Sequence, residues 1–411
     1  MNRISVVGLG KLGLPLAVSL ASKGFQVVGV DIDERKVRAI NNGISPVSET
    51  NLQEMLTRFK DSIVATLDYD YALRNSDVTF VFTNTPSNPD GSYSTRQLES
   101  ACREIGKVLR DKNVFHVVII MSTVLPLTCE ETLKPILEEQ SKKKCGVDFG
   151  LCHTPEFVAL GSVIHDFLNP DFFLIGESDP KSGRIVENIY RKISDSKIVR
   201  TSIVNAELAK IAINCFLTTK ISFANTLGEV CEKLPNANAN TVTSILGLDH
   251  RINADCLNAG LGFGGPCFPR DNKAFSFLAK QLSCQSWLAE ATDKVNAIQV
   301  DKVVEKVKSR LKGKGTVAVL GLSYKPNTET VEASQSLEIA KKLSGLGYKV
   351  KVFDPQAMNE ARLILGDNVV YCNSLQQCVE NTGLCIVATP WKEFKHLKVS
   401  VPVINCWNIK K

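Results

Sequence analysis

Cys267 stands in the run Gly260 to Asn272, GLGFGGPCFPRDN, where four glycines and two prolines surround one thiol beside the charged pair Arg270 and Asp271. A packing cysteine sits among apolar neighbours, and this composition argues against a core strand or a core helix. A cysteine in such a turn presents its sulfur to a ligand, and Arg270 and Asp271 can set its ionisation and shuttle protons. The alternative, a buried thiol, fits poorly with Gly264, Gly265, Pro266 and Pro269 around it. A second group is Lys210 and Asn214, four residues apart and therefore on one helix face, beside apolar Ile211, Ala212, Ile213 and Phe216. An ammonium next to an amide can hold a developing oxyanion. An exposed helix face is the other reading, and Lys220 further along is read as structural.

The third constellation binds rather than reacts. Gly8-Leu9-Gly10-Lys11-Leu12-Gly13 follows the strand-like run Ile4 to Val7 and opens a helix. Glycines there permit a tight turn and close backbone approach to a pyrophosphate, whose charge rests at the helix N-terminus. The next strand-like run ends at Asp31, eighteen residues beyond Gly13. Its carboxylate can accept from both adenine-ribose hydroxyls and repels a 2′-phosphate, so the expected cofactor is NAD. Lys36, one helical turn later, is either a cofactor contact or a solvated lysine. A nicotinamide beside a nucleophilic cysteine implies oxidation at the aldehyde level: hydride leaves a thiohemiacetal, giving a thioester that water cleaves.

These groups need a scaffold, and the hydrophobic rhythm predicts one. RISVVG, QVVGVD, SIVAT, VTFVFT, FHVVIIMS and DFFLIG alternate with amphipathic stretches such as Arg96 to Leu109, which predicts a parallel sheet covered by helices on both faces. From Asn205 to about Leu234 the chain has no proline and one glycine, with apolar residues every three or four positions. That predicts one long helix, and more helix to about Lys312. The strand-helix rhythm resumes at GTVAVLGLSYKP. The expected fold is α/β: two Rossmann-like doubly wound domains joined by a long central helix, with boundaries at 1–200, 201–300 and 301–411.

The totals narrow the class. With 411 residues, 44% hydrophobic and 22% charged, the chain suits a soluble globular protein of two or three domains. The net charge of +6 is not gathered in a block, which gives weak support for an anionic small ligand and none for nucleic acid. Thirteen scattered cysteines without a C-x-x-C pair predict reduced thiols and no zinc. His116, His153, His165, His250 and His396 lack metal-ligand spacing and are read as surface or satisfied residues. Ile4 to Ala21, interrupted by Lys11 and three glycines, is not a signal peptide, and no segment suits a membrane span, so a cytoplasmic protein is expected.

Over nearly its whole length the chain resembles the nucleotide-sugar 6-dehydrogenases, the UDP-glucose/GDP-mannose dehydrogenase family. The residues that carry this are GLGKLGLPLA, TNTPSNPDG, STVLP, TPEF followed by GSVIHDFLNPD, KIAINCFLTTKISFAN, DHRI, GFGGPCFPRD, GLSYKPNT, VFDP and ATPWKEF. The resemblance implies oxidation of a sugar C6 alcohol to a carboxylate with two NAD and one water. It implies Cys267 as nucleophile; Lys210, Asn214 and Asp271 as the polar group that takes up protons and stabilises oxyanions; Glu156 as base in thioester hydrolysis; and Thr123 against cofactor and water. Cofactor contacts would come from Gly8, Gly10, Lys11, Leu12, Asp31, Lys36, Thr85, Thr123 and Arg270, the last in place of a usual lysine. Substrate contacts would come from Glu156, Phe157, Val158, Ala159, Leu160, Lys210, Asn214, Cys256, Leu257, Asn258, Ala259, Gly260, Gly264 and Lys325. Arg251 would reach a neighbouring subunit's site, with the long helix as interface of a homodimer or larger homo-oligomer. No metal, nucleic acid or membrane partner is implied.

Four places depart from the family pattern: Leu160 replaces a glutamate, Glu332 an arginine, Asn405-Cys406-Trp407 an aspartate-glycine-arginine run, and Pro266 a serine or histidine. TPEF and GFGGPCFPRD resemble the UDP-glucose branch more than the N-acetylhexosamine branch. GDP-mannose as substrate, a nucleotide-sugar-binding homologue without turnover, and an alcohol dehydrogenase stopping at the aldehyde remain as alternatives.

Overall fold

Runs of valine and isoleucine form strands here because the pleat sends alternate residues into two different apolar layers. The computed structural model describes residues 3–395 and 397–407. The chain divides into two compact units, Met1–Ala212 and Ile213–Lys411, and the division falls within the helix Ile203–Lys233.

In the first unit, β1 (Arg3–Val7), β2 (Gln26–Val30), β3 (Ile63–Thr66), β4 (Val78–Val81), β5 (His116–Ile120), β6 (Phe149–His153), β7 (Phe172–Glu177) and β8 (Lys197–Ser202) form one sheet. Its order is β3-β2-β1-β4-β5-β6-β7-β8. Val78, Phe80, Val117 and Ile119 enter one core cluster, while Val81, Val118 and Ile120 enter the other. Both faces are therefore buried, which is what a helix-covered sheet requires.

Two expectations need correction. β6 and β8 were not expected as strands: FGLCH is poor in β-branched residues, and β8 has no fully buried residue. The sheet is also not wholly parallel, since β6 and β7 pair antiparallel, Cys152 with Glu177 and His153 with Gly176. The link between them holds only the six-residue helix Val163–Leu168, so the chain turns back instead of crossing over.

In the second unit, β9 (Thr316–Leu320), β10 (Lys349–Phe353), β11 (Val370–Tyr371), β12 (Leu384–Val387) and β13 (Val403–Asn405) form a parallel sheet in the order β11-β10-β9-β12-β13. This repeats the order of β3-β2-β1-β4-β5, and the repetition extends to atoms. Gly8 (φ 92°) and Gly321 (φ 93°) each turn the chain after the first strand. Gly8 N donates to Val30 O at 2.7 Å, and Gly321 N to Phe353 O at 2.8 Å. Leu9 N then donates to Asp31 Oδ2 at 2.8 Å, and Leu322 N to Asp354 Oδ2 at 2.7 Å.

The long helix begins and ends within two residues of expectation. It is followed by helices Ala239–Leu248, Phe268–Gln281, Trp287–Ala297 and Gln299–Arg310. The second of these corrects the reading of the cysteine run: Phe268 onward is helical, with Asp271 and Asn272 buried. Pro269 in the first turn suits a helix start, where a missing N–H costs nothing. No helix among the described residues is long and apolar enough to cross a membrane.

Candidate active site

In the first unit the glycine loop has the form a dinucleotide needs. A Cβ on Gly8 would lie 2.0 Å from Phe82 O, and one on Gly13 would lie 1.8 Å from Gly8 O, so both glycines are required by backbone packing. Gly10 faces open space, and the helix Gly13–Ser22 begins without a side-chain cap, Leu14 N bonding Gly10 O at 3.2 Å; the partial positive charge of this helix end suits an anion. Lys11 is exposed and Leu12 half-buried. Buried Asp31 accepts from Leu9 N at 2.8 Å, Asp33 N at 2.9 Å and Lys36 Nζ at 3.5 Å. A carboxylate offers about four acceptor positions, so one remains for a ribose hydroxyl and the long Lys36 bond is the easiest to exchange. Lys36 is thus a partner of Asp31 and not merely solvated. Thr85, also buried, donates its hydroxyl to Thr123 O at 2.8 Å.

The same unit joins Lys210 to Glu156. Lys210 Nζ lies 3.0 Å from Glu156 Oε2 and also donates to the Glu156 carbonyl, with side-chain exposures of 6% and 12%. The ring of Phe157 lies 5.2 Å from the ammonium, a cation–π distance. Glu156, Phe157 and Val158 line a cavity of about 360 Å³ together with Asp171, Phe173 and Tyr190. Ala159 N is held by Asp166 Oδ2 at 3.0 Å, and Leu160 is half-buried.

The second unit assembles the thiol's surroundings. Cys267 is exposed and caps the N-terminus of the helix Phe268–Gln281, its carbonyl accepting from Asp271 N at 2.8 Å. Partial positive charge at that end favours a thiolate. Asp271, wholly buried, accepts from Asn214 Nδ2 at 2.6 Å and lies 3.4 Å from Arg270 Nε. The other thiols contrast with Cys267. Burial pushes Cys215 up to about 12, with Asp271 adding to the shift, and burial also raises Cys256. Cys284 is the other exposed cysteine, and it lies beyond the C-terminal end of that helix, away from Cys267 at its start.

The glycines of the run are explained by close packing within this unit. A Cβ on Gly260 would meet the Trp407 ring at 2.7 Å, on Gly262 Asn296 Oδ1 at 2.0 Å, on Gly264 Ala333 O at 2.4 Å, and on Gly265 the Tyr324 ring at 2.6 Å. Gly265 N donates to the carbonyl of Glu332, whose side chain is exposed. Leu257 and Ala259 are buried, Asn258 is exposed, and Lys325 is half-buried. Arg251 is exposed and paired with its neighbour Asp249 at 2.6 Å. Lys220 donates to the carbonyls of Ile252 and Asn253, a structural tie.

Sequence reasoning missed Asn225, whose Oδ1 accepts from Gly260 N at 2.8 Å and whose Nδ2 donates to Leu261 O at 3.2 Å. Its position eleven residues, or three helical turns, beyond Asn214 was the available signal. The histidine reading is corrected in part: His116 and His153 are wholly buried, both ring nitrogens of His153 lack a hydrogen-bond partner among the described residues, and burial drives its imidazole down to about 3, so it stays neutral. His116 bonds Thr79 Oγ1 at 2.7 Å; His396 lies outside the described residues. Among the described residues no cluster could hold a metal.

Three domain descriptions of the UDP-glucose/GDP-mannose dehydrogenase family match the chain: the NAD binding domain over residues 2–194, the central domain over 204–298 and the UDP binding domain over 318–408. The chain is 35% identical to a UDP-glucose 6-dehydrogenase of Bacillus subtilis over 97% of its own length and 86% of that protein. It is 34% identical to a GDP-mannose 6-dehydrogenase of Pseudomonas putida over 97% and 94%. A UDP-glucose dehydrogenase structure from the hyperthermophilic archaeon Pyrobaculum islandicum superposes with a TM-score of 0.95 at 35% identity, covering 100% of this chain and 95% of that one. A glycine loop built for a dinucleotide, an exposed thiol at a helix N-terminus and matches spanning the chain converge on one conclusion: this protein belongs to the UDP-glucose/GDP-mannose dehydrogenase family, the NAD-dependent nucleotide-sugar dehydrogenases.

Proposed function

We propose that the protein oxidises UDP-glucose to UDP-glucuronate, using Cys267 as nucleophile. The observation that carries this reading is the exposed Cys267 at a helix N-terminus, followed by the buried Asp271–Asn214 hydrogen bond. The balance is one alcohol, two NAD and one water giving one carboxylate, two NADH and three protons. NAD, when bound, supplies the hydride acceptor for both oxidations. The Cys267 sulfur bonds C6 at the aldehyde stage, and the sugar oxygen then carries negative charge at each tetrahedral stage. The Lys210 ammonium and the Asn214 amide stabilise that charge, and Asp271 fixes the amide's orientation. Glu156 takes the proton of the water that cleaves the thioester, and Thr123 orients cofactor and water.

The remaining assignments belong to the same reading. Gly8, Gly10, Lys11, Leu12, Asp31, Lys36, Thr85 and Arg270 serve the cofactor; Phe157 to Leu160, Cys256 to Gly260, Gly264, Arg251 and Lys325 serve the substrate. Residues 1–200 bind NAD, 201–300 dimerise and 301–411 bind the nucleotide sugar. Leu208, Phe216, Phe223 and Val230 are exposed at seven- and eight-residue spacing on the long helix, as a helix–helix seam requires, which supports a homodimer. A cytoplasmic location belongs to the same proposal.

UDP-glucose is favoured by TPEF and GFGGPCFPRD and by the likeness to the archaeal UDP-glucose dehydrogenase. The test offers UDP-glucose, UDP-N-acetylglucosamine, UDP-N-acetylmannosamine and GDP-mannose separately and counts NADH. Two NADH per UDP-glucose are expected. Turnover of GDP-mannose or the acetylated sugars alone removes the substrate assignment and keeps the reaction; binding without NADH removes the enzyme. For the cofactor, Asp31→Asn is expected to raise the KM for NAD roughly tenfold with little change in kcat, because a charged acceptor is lost. An unchanged KM would mean that the carboxylate serves only its own loop.

A further inference from the structure

Glu207 is a carboxylate where none is needed for packing. It is wholly buried on the long helix, three residues before Lys210 and on the same face. Its Oε2 accepts from Leu127 N at 2.7 Å and its Oε1 from Cys129 N at 2.9 Å. Leu127 has φ 74°, a left-handed conformation that a leucine adopts only when its surroundings impose it. Burial pushes the Glu207 carboxyl up to about 7, against the pull of the two N–H bonds. An amide could not replace it symmetrically, because one of its two ends is a donor and would face a donor.

The clamped turn lies just beyond Ser122-Thr123-Val124. Upstream, the Ser122 hydroxyl donates to Thr83 O at 2.8 Å and accepts from Thr83 N at 3.0 Å, while the Thr123 carbonyl receives the Thr85 hydroxyl. The segment is thus fastened to the loop after β4 at one end and to the long helix at the other. One turn along that helix, Lys210 holds Glu156.

We propose that Glu207 is a positioning residue for the oxidation: by gripping the Leu127 and Cys129 N–H groups it sets Thr123 against the Lys210–Glu156 pair. This rests on the roles proposed above for Thr123 and Lys210. The test compares the full chain with Glu207→Gln, with Glu207→Asp as the milder variant should the first not fold. Three quantities are read: amide exchange at residues 125–129, kcat and the KM for NAD and UDP-glucose, and the thermal midpoint. Exchange at Leu127 and Cys129 is expected to accelerate by about tenfold or more. At a temperature where the variant is fully folded, kcat should fall roughly 10- to 100-fold, the KM for NAD should rise, and the KM for UDP-glucose should hold. Faster exchange with unchanged kcat and KM reduces Glu207 to a structural residue and overturns the proposal; unchanged exchange overturns the clamp itself. Thr123→Val run alongside separates the two readings: if it is silent while Glu207→Gln is slow, the role of Thr123 is wrong and the clamp acts through Lys210.

Discussion

Replacing Cys267 with alanine is expected to lower steady-state NADH production from UDP-glucose by more than roughly 10⁴-fold, the scale on which nucleophile deletions act. No other thiol can stand in. Cys215, whose thiol lies 3.7 Å from the Asp271 carbonyl oxygen, is held protonated by burial and by the Asp271 carboxylate, and Cys284 lies beyond the far end of the helix from Cys267. Cys284→Ala should therefore leave the rate unchanged and serves as the control. Without the sulfur the first oxidation still has a hydride to give, so at most one NADH per active site is expected in a rapid-mixing experiment. Two NADH per sugar at an undiminished rate from the Cys267→Ala protein would remove the covalent mechanism and leave a reaction through hydrated aldehyde.

Lys210→Ala is expected to lower kcat by roughly 10²- to 10³-fold, since a fixed donor to a developing oxyanion is worth that much in a site that excludes water. It carries a second cost. Glu156 would remain buried with its cation gone, and breaking such a pair typically costs roughly 3–5 kcal/mol of stability. The thermal midpoint should fall with the rate. Glu156→Gln separates the two effects, because it keeps the ammonium and removes the hydrolytic base: the acylated Cys267 thioester should accumulate and register as added mass on the protein. Equal kinetic defects in both variants, with no acylated protein in either, would show that the pair is a structural strut and that the base lies elsewhere.

The legible part of the site was short-range. Gly8 to Gly13 and Asp31 act within one strand-turn-helix-strand unit, so spacing alone specified them, and the glycine-rich setting of Cys267 marked it because no core element tolerates that composition. The glycines of that run do more than form a turn, however: Gly260, Gly262, Gly264 and Gly265 each accept a close neighbour from Trp407, Asn296, Ala333 or Tyr324. Those contacts join residues far apart in the chain, and no local pattern encodes them. Glu207 was hidden for a similar reason, since a carboxylate in an amphipathic helix looks solvated until the fold buries it. β6 was missed because FGLCH owes its strand to the ladders of β5 and β7, an override of weak propensity by tertiary pairing. The second Rossmann-like unit was legible in its strand-helix rhythm, but the repeat of the β1-β2 turn in β9 and β10 was not, because Ser323 stands where the first copy has Gly10, which erases the glycine signature while keeping the backbone.

That serine bears on what the second copy can still do. Asp354 Oδ2 accepts from Leu322 N, Ser323 N, the Ser323 hydroxyl and Trp391 Nε1, and its Oδ1 from Gln356 N and Ala357 N. With about four acceptor positions for six donors, it has nothing left to offer a sugar ring. The copy has been disarmed by its own hydrogen bonds: whatever nucleotide settles there is gripped by other groups, and flooding the protein with dinucleotide should fill one frame and leave its twin untouched.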